Sequence, residues 1–445
     1  MKCILRFAPS PTGRLHVGNI KIALLNWLFA RRNNGKFILR MDDTDLERSS
    51  KEYEQGIIED LKWLGMNYDA LEHQSARHNS YEAAVEALKK TNRLYACYET
   101  PAELEIKRKR QLARGKPPIY DRASLNLTPE DIARLESEGR KPHWRFKLEQ
   151  NLIAWEDMIH GLIEINGDKQ SDPVLIREDG TPVYTLSSVV DDIEMGITHI
   201  IRGEDHIANT AAQIQLIEAL GANPKDITFG HMPLVMNEQG GGLSKRYGSY
   251  SILEERDRGI EPMAIISLLA RLGTSDSIVP FKSMEEVIAQ FNIKQVSRNS
   301  PKFSTDELVR LNSKLLHEMP YSMVKDRLET DGVNEKLWNV VKGNISVFPE
   351  ALEYKEICYG EWQPEIEDAE YIALARKLLP DSPWDENVWA EWTSKLSETT
   401  GRKGKTLFMP LRKALTGLEH GPEMKLLLPL IGHDKTAARL EGKRA

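Results

Sequence analysis

The chain is short of the features that mark several broad classes of protein. Only three cysteines occur in 445 residues, Cys3, Cys97 and Cys358. An odd, scattered set argues against a disulfide scaffold, and no pair has metal-ligand spacing. Positive net charge is missing: the formal balance is −7, so contact with a polyanion needs a local basic face. No apolar run is long enough to span a bilayer, and Met1-Lys2 leads straight into a strand pattern with no signal-peptide core. These absences point to a cytoplasmic protein without membrane contact. There is no internal repeat and no low-complexity segment. What is present is a globular composition, 40% hydrophobic and 29% charged, in a chain long enough for more than one domain.

The most informative stretch is Pro9-Ser-Pro-Thr-Gly-Arg-Leu-His-Val-Gly-Asn19. An apolar run, residues 3–8, precedes it and reads as a buried strand. Residues 20–31 follow and read as a helix apolar on most of its surface. Pro9, Pro11 and Gly13 shape the turn between them. His16 and Gly18 fall where the helix begins, where free N–H groups and the dipole favour an anion. Gly18 lets a ligand approach the backbone. Gly35 is read as closing the helix, and residues 36–41 form a second strand. Strand, helix and strand make a βαβ unit with parallel strands, and ligands of such sheets bind at the carboxyl ends. Asp42, Asp43 and Asp45 lie at that end. Asp43 and Asp45 read as a solvated turn or the cap of a helix beginning near Glu47. Asp42, nearest the strand, is the candidate ligand group.

A helix runs to Leu64, and Gly65 ends it. The pattern then breaks into helices and short strands that read as an insertion. Within it lie the basic run Lys107, Arg108, Lys109 and Arg110, and then Arg114, Lys116, Arg122, Lys141 and Arg145. The ordinary reading of such a run is a solvated helix face; with Tyr120 and Trp144 nearby, nucleic-acid backbone contact is the alternative. Residues 182–190 read as a strand of a returning parallel sheet. Residues 198–203 read as another, ending in Arg202 with Asp205 beyond. A crossover helix, 210–220, leads to a strand at 229–236. Gly240 to Gly248 carries Lys245 and Arg246 among glycines, chemistry suited to polyphosphate but without P-loop spacing. Beyond Ile260 the chain reads as mostly helical.

The turn at 8–19 resembles the first signature of class I aminoacyl-tRNA synthetases, in the form used by the glutamyl and glutaminyl enzymes. Arg40-Met-Asp-Asp-Thr-Asp45, Val189-Val-Asp-Asp192 and Ile201-Arg-Gly-Glu-Asp-His206 are similar to later segments of that family. Leu243-Ser-Lys-Arg246 stands where its second signature loop belongs. Pro410-Leu-Arg-Lys-Ala-Leu-Thr-Gly417 resembles a segment of the bacterial glutamyl type. The resemblance covers the whole chain. It implies an α/β Rossmann-type catalytic domain split over 1–75 and 185–240, with an inserted α+β acceptor-stem-binding domain at 76–184. A signature loop and stem-contact helical domain follows at 241–315, then an all-α anticodon-binding domain at 316–445.

The resemblance also implies two reactions: L-glutamate and ATP give glutamyl-adenylate, and the glutamyl group passes to the 3′ end of tRNA(Glu), tRNA(Gln) or both. Its catalytic residues would be His16, Gly18 and Lys245. ATP would be held by Pro9, Thr12, Gly13, His16, Gly18, Asn19, Asp205, Leu243, Ser244, Lys245 and Arg246, with Mg2+ on its phosphates. Glutamate would be held by Arg6, Ala8, Ser10, Asp42, Tyr184, Ser188 and Arg202. Lys107, Arg108, Lys109, Arg110 and Arg412 would meet tRNA. A monomer is implied. The sequence departs from the family pattern at Gly242, where the second signature's leading Lys belongs, and at the insertion's zinc ligands, of which only Cys97 remains; no structural zinc is expected. The competing readings are a tRNA-modifying or tRNA-binding paralogue and a small-molecule nucleotidyltransferase. His16→Ala is expected to cut adenylate formation far more than stability, because a surface turn histidine contributes little to folding.

Overall fold

The computed structural model of the chain describes residues 3–45, 47–243 and 250–445. Strand β1 (Ile4–Phe7) leads through the turn into α1 (Val17–Arg32), and β2 (Lys36–Met41) returns parallel to β1 with Leu5 opposite Phe37 and Phe7 opposite Leu39. Val17, Ile20, Ala23, Leu24, Leu25 and Leu28 of α1 are all buried, so the helix is apolar around most of its girth. Asn34, not Gly35, takes the left-handed conformation after α1. Gly35 is needed for space: a Cβ there would lie 2.4 Å from the carbonyl oxygen of Cys3.

Helix α2 (Lys51–Trp63) starts at Ser50, whose hydroxyl accepts the Tyr53 N–H at 3.2 Å. The cap is therefore Ser50 rather than the acids at 43 and 45. The carboxylate of Asp43 instead accepts the backbone N–H and the hydroxyl of Ser75, at 2.8 and 2.6 Å. β3 (Ala70–His73) pairs parallel with β2, and α3 (His78–Lys90) follows.

The middle of the chain contains β4 (Leu94–Cys97), α4 (Pro101–Ala113), α5 (Pro129–Ser137), β5 (His143–Phe146), β6 (Leu152–Asp157), β7 (Gly161–Asn166) and β8 (Val174–Ile176). Only β4, β5 and β8 form a separate antiparallel sheet. β6 and β7 join the sheet of the returning half, and α3 packs in one core with Leu186, Val189 and Val190. β6, which lies with its partner β7 inside the expected insertion at 76–184, therefore pairs with a strand outside it, because strand pairing at long sequence separation, not local composition, decides which sheet a strand enters.

Residues 182–190 are not a strand. Tyr184–Glu194 is a helix, α6. Leu186, Val189 and Val190 enter the core, and Ser187, Ser188, Asp191 and Asp192 are also buried, on a polar network. Leu186, Val189, Val190 and Ile193 keep the helical i, i+3, i+4, i+7 spacing, but the short β-branched run between them reads like a strand.

After α6 come β9 (His199–Gly203), α7 (Ile207–Ala219) and β10 (Thr228–Met232), with β9 and β10 parallel. The four-stranded sheet has the order β7-β6-β10-β9. Thr198 fastens its β9 side to β1: its N–H donates to the Ile4 carbonyl at 3.0 Å, and its hydroxyl accepts the Ile4 N–H at 2.9 Å. The carboxyl ends of β1, β2, β9 and β10 therefore open on one cleft.

The chain forms two compact units, Met1–Glu254 with Ile266–Ser304, and Glu255–Ile265 with Thr305–Ala445. α8 (Ile252–Asp257) and α9 (Pro262–Arg271) cross the border between them, and α10 (Met284–Gln290) belongs to the first. Among the described residues the second unit is helical, from α11 (Thr305–Glu318) through α12 (Tyr321–Thr330), α13 (Glu335–Val341), α14 (Glu350–Tyr359), α15 (Ala369–Lys377), α16 (Val388–Thr400), α17 (Lys405–Thr416) and α18 (Met424–Ile431) to α19 (His433–Leu440). Trp338 and Trp392 are fully buried in its core, and their indole N–H groups donate to the carbonyls of Met319 and Ala375. No described helix is long and apolar enough to cross a membrane.

Candidate active site

The cleft at the strand ends has a volume of about 670 Å3. One wall is the start of α1. The imidazole Nδ1 of His16 accepts the backbone N–H groups of Gly18 and Asn19 at 3.1 and 3.4 Å, and the Asn19 side chain accepts the His16 N–H at 3.3 Å. This reciprocal cap satisfies donors that the first helical turn leaves over. With Nδ1 as acceptor, the ring proton sits on Nε2. Burial lowers the His16 pKa, which favours that neutral form. The segment that follows residues 244–249 is fastened to the same place: Tyr250 accepts the Val17 N–H at 3.1 Å, and the Ile252 N–H donates to Leu15 at 3.1 Å.

A second wall is a buried network of arginines and aspartates. Arg6, on β1, donates to Asp192 at 3.0 and 3.4 Å. Arg40, on β2 and fully buried, donates to Asp42 at 2.7 and 3.2 Å, to Asp192 at 2.8 Å and to the Ser188 hydroxyl at 3.3 Å. Burial alone would push the Asp192 carboxyl up, but the Arg6 and Arg40 guanidiniums outweigh it and hold its pKa low. Asp191 accepts from Gln74, Arg77 and Tyr81 and so anchors α6 to α3. Asp42 lines the cleft with both oxygens already bonded by Arg40.

The third wall carries Arg202, at the carboxyl end of β9. Its Nη2 donates to Thr210 and Gln213, both at 2.6 Å, its Nη1 to the Tyr184 hydroxyl at 3.3 Å and its Nε to His231 at 3.4 Å. All four partners are uncharged.

Of the residues assigned by resemblance, Arg6, Ala8, Pro9, Ser10, His16, Gly18, Asn19, Asp42, Tyr184, Arg202, Asp205 and Leu243 line this cleft. Thr12 and Gly13 do not line it, and Ser188 sits behind Arg40. Ser244, Lys245 and Arg246 lie outside the described residues. Lys107 is tied to Glu99 and Asp121 at 3.2 and 3.1 Å and Arg108 to Glu105 at 3.3 Å, while Lys109 and Arg110 are exposed. Arg412, in the second unit, donates to the Pro422 carbonyl at 2.6 Å and lines a hollow with Trp389 and Phe408. Cys97 is buried beside a cluster in which Tyr120, Ser124 and Lys107 all donate to Glu99.

Sequence reading missed Arg40, Gln213, His231 and Asp157. Arg40 does carry a local signal, a lone arginine inside an apolar strand that must find a partner. The other three are chosen by tertiary packing and leave no local mark.

Comparison with known proteins identifies the family. Residues 2–310 match the family of class I tRNA synthetases (E and Q), catalytic domain, and residues 314–443 match an anticodon binding domain. The chain is 52% identical over 443 residues to a glutamate–tRNA ligase 1 of Parvibaculum lavamentivorans, covering 99% of this chain and 98% of that one. It is 49% identical over 449 residues to a glutamate–tRNA ligase of Azospirillum brasilense, covering 100% of both. The crystal structure of a glutamate tRNA ligase from Elizabethkingia meningosepticum, in complex with its amino acid, superposes with a TM-score of 0.85 at 29% identity over 99% of each chain. The chain belongs to the class I tRNA synthetases of the glutamate and glutamine (E and Q) family.

Proposed function

We propose that this protein is a glutamate–tRNA ligase whose Arg202 binds the side-chain carboxylate of L-glutamate. The observation that carries the reading is Arg202 itself: a buried cation on the cleft wall whose four hydrogen-bond partners are all neutral. A buried guanidinium without a counter-ion is costly, and a substrate carboxylate supplies one in the geometry arginine suits best. Arg6 adds positive potential, and the Tyr184 hydroxyl orients the pair. Ser10 and Asp42 hold the amino-acid head group.

In the first step an oxygen of the α-carboxylate attacks the α-phosphorus of ATP. The bond to the β-phosphate oxygen breaks, and diphosphate leaves. The nucleophile is already an anion, so the protein contributes position and charge stabilisation. His16 offers Nε2–H to the phosphates, beside the positive end of the α1 dipole; the Gly18 and Asn19 N–H groups are spent on holding its Nδ1. Pro9, Leu243, Ser244, Lys245 and Arg246 complete the nucleotide site, and Asp205 meets the ribose or adenine. With Asp42 given to Arg40 and the substrate ammonium, Mg2+ would enter with the nucleotide, on its phosphates. When bound there it neutralises phosphate charge. In the second step a hydroxyl of the terminal ribose of tRNA attacks the acyl carbon, and AMP leaves.

The acceptor end of tRNA meets the unit built on β4, β5 and β8 through Lys107, Arg108, Lys109 and Arg110. The anticodon meets the helical unit at Arg412. The protein acts in the cytoplasm as a monomer. ATP–diphosphate exchange with L-glutamate, with and without tRNA, tests the activity. Exchange in at least one condition is expected, and none in either sinks the proposal. Charging of separate tRNA(Glu) and tRNA(Gln) transcripts decides between the two acceptors.

A further inference from the structure

The three arginines around the cleft differ in what neutralises them. Arg6 faces Asp192, and Arg40 faces Asp42 and Asp192. Arg202 is only 5% exposed and, among the described residues, forms no ion pair. Its partners are a hydroxyl from Thr210, an amide oxygen from Gln213, a phenol from Tyr184 and an imidazole nitrogen from His231.

These neutral groups are themselves held. Asp157 bonds His231 Nδ1 at 2.6 Å and accepts the backbone N–H groups of Ile159, His160 and His231 at 3.0, 3.0 and 3.2 Å. The ring proton therefore points to Asp157, and Nε2 turns its lone pair toward Arg202 and the Thr210 hydroxyl, 2.8 Å away. The charge of Asp157 is one imidazole removed from the guanidinium and is shared among four donors. Gln213 is 3% exposed, and its amide must turn oxygen toward Arg202 because Nη2 can only donate.

We infer that Gln213 and the Asp157–His231 pair are positioning residues that hold Arg202 by neutral acceptors alone, and that the neutrality of position 213 sets the preference for an acid over its amide. This rests on the proposal that Arg202 binds the substrate carboxylate. A glutamate at 213 would put a carboxylate 2.6 Å from Nη2, where the amide oxygen now lies. The substrate would then meet a neutralised pair in a site where charge interactions are far stronger than in water.

The test is the steady-state kinetics of full-length protein with tRNA, comparing Gln213→Glu, Gln213→Leu and Arg202→Ala. Gln213→Glu is expected to raise KM for L-glutamate at least ~10-fold, with KM for ATP unchanged and kcat changed less than KM. Gln213→Leu removes the acceptor without adding charge, and its effect should be smaller. Thr210→Asp places a carboxylate against the same Nη2 and should repeat the glutamate-selective effect if Gln213→Glu fails to fold. Equal loss of glutamate and ATP binding, or Gln213→Leu as harmful as Gln213→Glu, overturns the inference. If Arg202→Ala leaves KM for glutamate unchanged, the underlying proposal falls. If Arg202→Ala raises it while Gln213→Glu and Thr210→Asp are silent, only the present inference falls.

Discussion

His16 Nδ1 accepts the backbone N–H of Gly18 at 3.1 Å, so the candidate phosphate-binding imidazole is also the cap of α1. That corrects the expectation that a turn histidine contributes little to folding. Removing an N-cap typically costs about 1 kcal/mol. His16→Ala is therefore expected to lower stability by about that amount as well as abolish adenylate formation. His16→Asn separates the two roles, because asparagine caps well but carries no Nε2–H. Its thermal midpoint should stay near that of the parent while ATP–diphosphate exchange falls by about 100-fold or more. Retained exchange in His16→Asn would show that capping is the only role of His16.

The same contact makes Gly18 a second lever. A Cβ at position 18 would sit 3.0 Å from the His16 ring and 3.3 Å from Leu243 Cδ1. Alanine is otherwise a better helix former than glycine, so the α1 backbone tolerates it. Gly18→Ala should push the ring off its two N–H donors and raise KM for ATP several-fold, with little change in KM for glutamate, whose arginines lie on β1 and β9. Parallel KM titrations of the two substrates check this; equal rises would indicate general damage to the cleft.

Asp192 gives a pH signature. Its carboxyl is buried, yet the Arg6 and Arg40 guanidiniums hold its folded pKa below the ordinary value of 3.8. A group with a depressed folded pKa contributes stability that is complete above the unfolded pKa and is lost as pH falls through the folded one. The thermal midpoint should therefore drop on acidification below about pH 4, near the unfolded carboxylate pKa. Asp192→Asn should flatten that drop and lower stability at neutral pH, because Arg6 loses its counter-ion. Unfolding curves at stepped pH values on both proteins measure it. Parallel acid profiles in the two would rule Asp192 out as the source.

How far the sequence alone reaches can be read from particular residues. The strand–turn–helix at 4–32 is local: Pro9, Pro11 and Gly13 shape the turn, and a hydrophobic run on either side names the elements. The apolar run before Arg202 placed it at a strand's carboxyl end, and the resemblance alone supplied its role. α6 was misread because its adjacent valines read as a short strand, although Leu186, Val189, Val190 and Ile193 keep helical spacing. The membership of β6 and β7 in the β9–β10 sheet was invisible for another reason. It depends on Asp157 meeting Phe229, a pairing that no local pattern announces. The cage around Arg202 is hidden in the same way, since Asp157, Thr210, Gln213 and His231 come from three elements.

Gly242 offers the sharpest test of the departure from the family's second signature. The position lines the cleft beside Leu243, and a Cβ there would meet nothing within 4 Å. Its φ lies outside the left-handed region, so a side chain adds no backbone strain. Gly242→Lys restores the loop cation that the family pattern carries, at no packing cost. Stability should change by no more than about 0.5 kcal/mol, as for other open surface sites. A further loop cation adds to the charge that offsets the phosphates as diphosphate leaves. ATP–diphosphate exchange without tRNA is expected to rise several-fold, and KM for ATP to fall. Unchanged exchange would mean that Lys245 and Arg246 already supply all the loop charge the reaction uses, and slower exchange would mean that the glycine itself is needed for nucleotide entry.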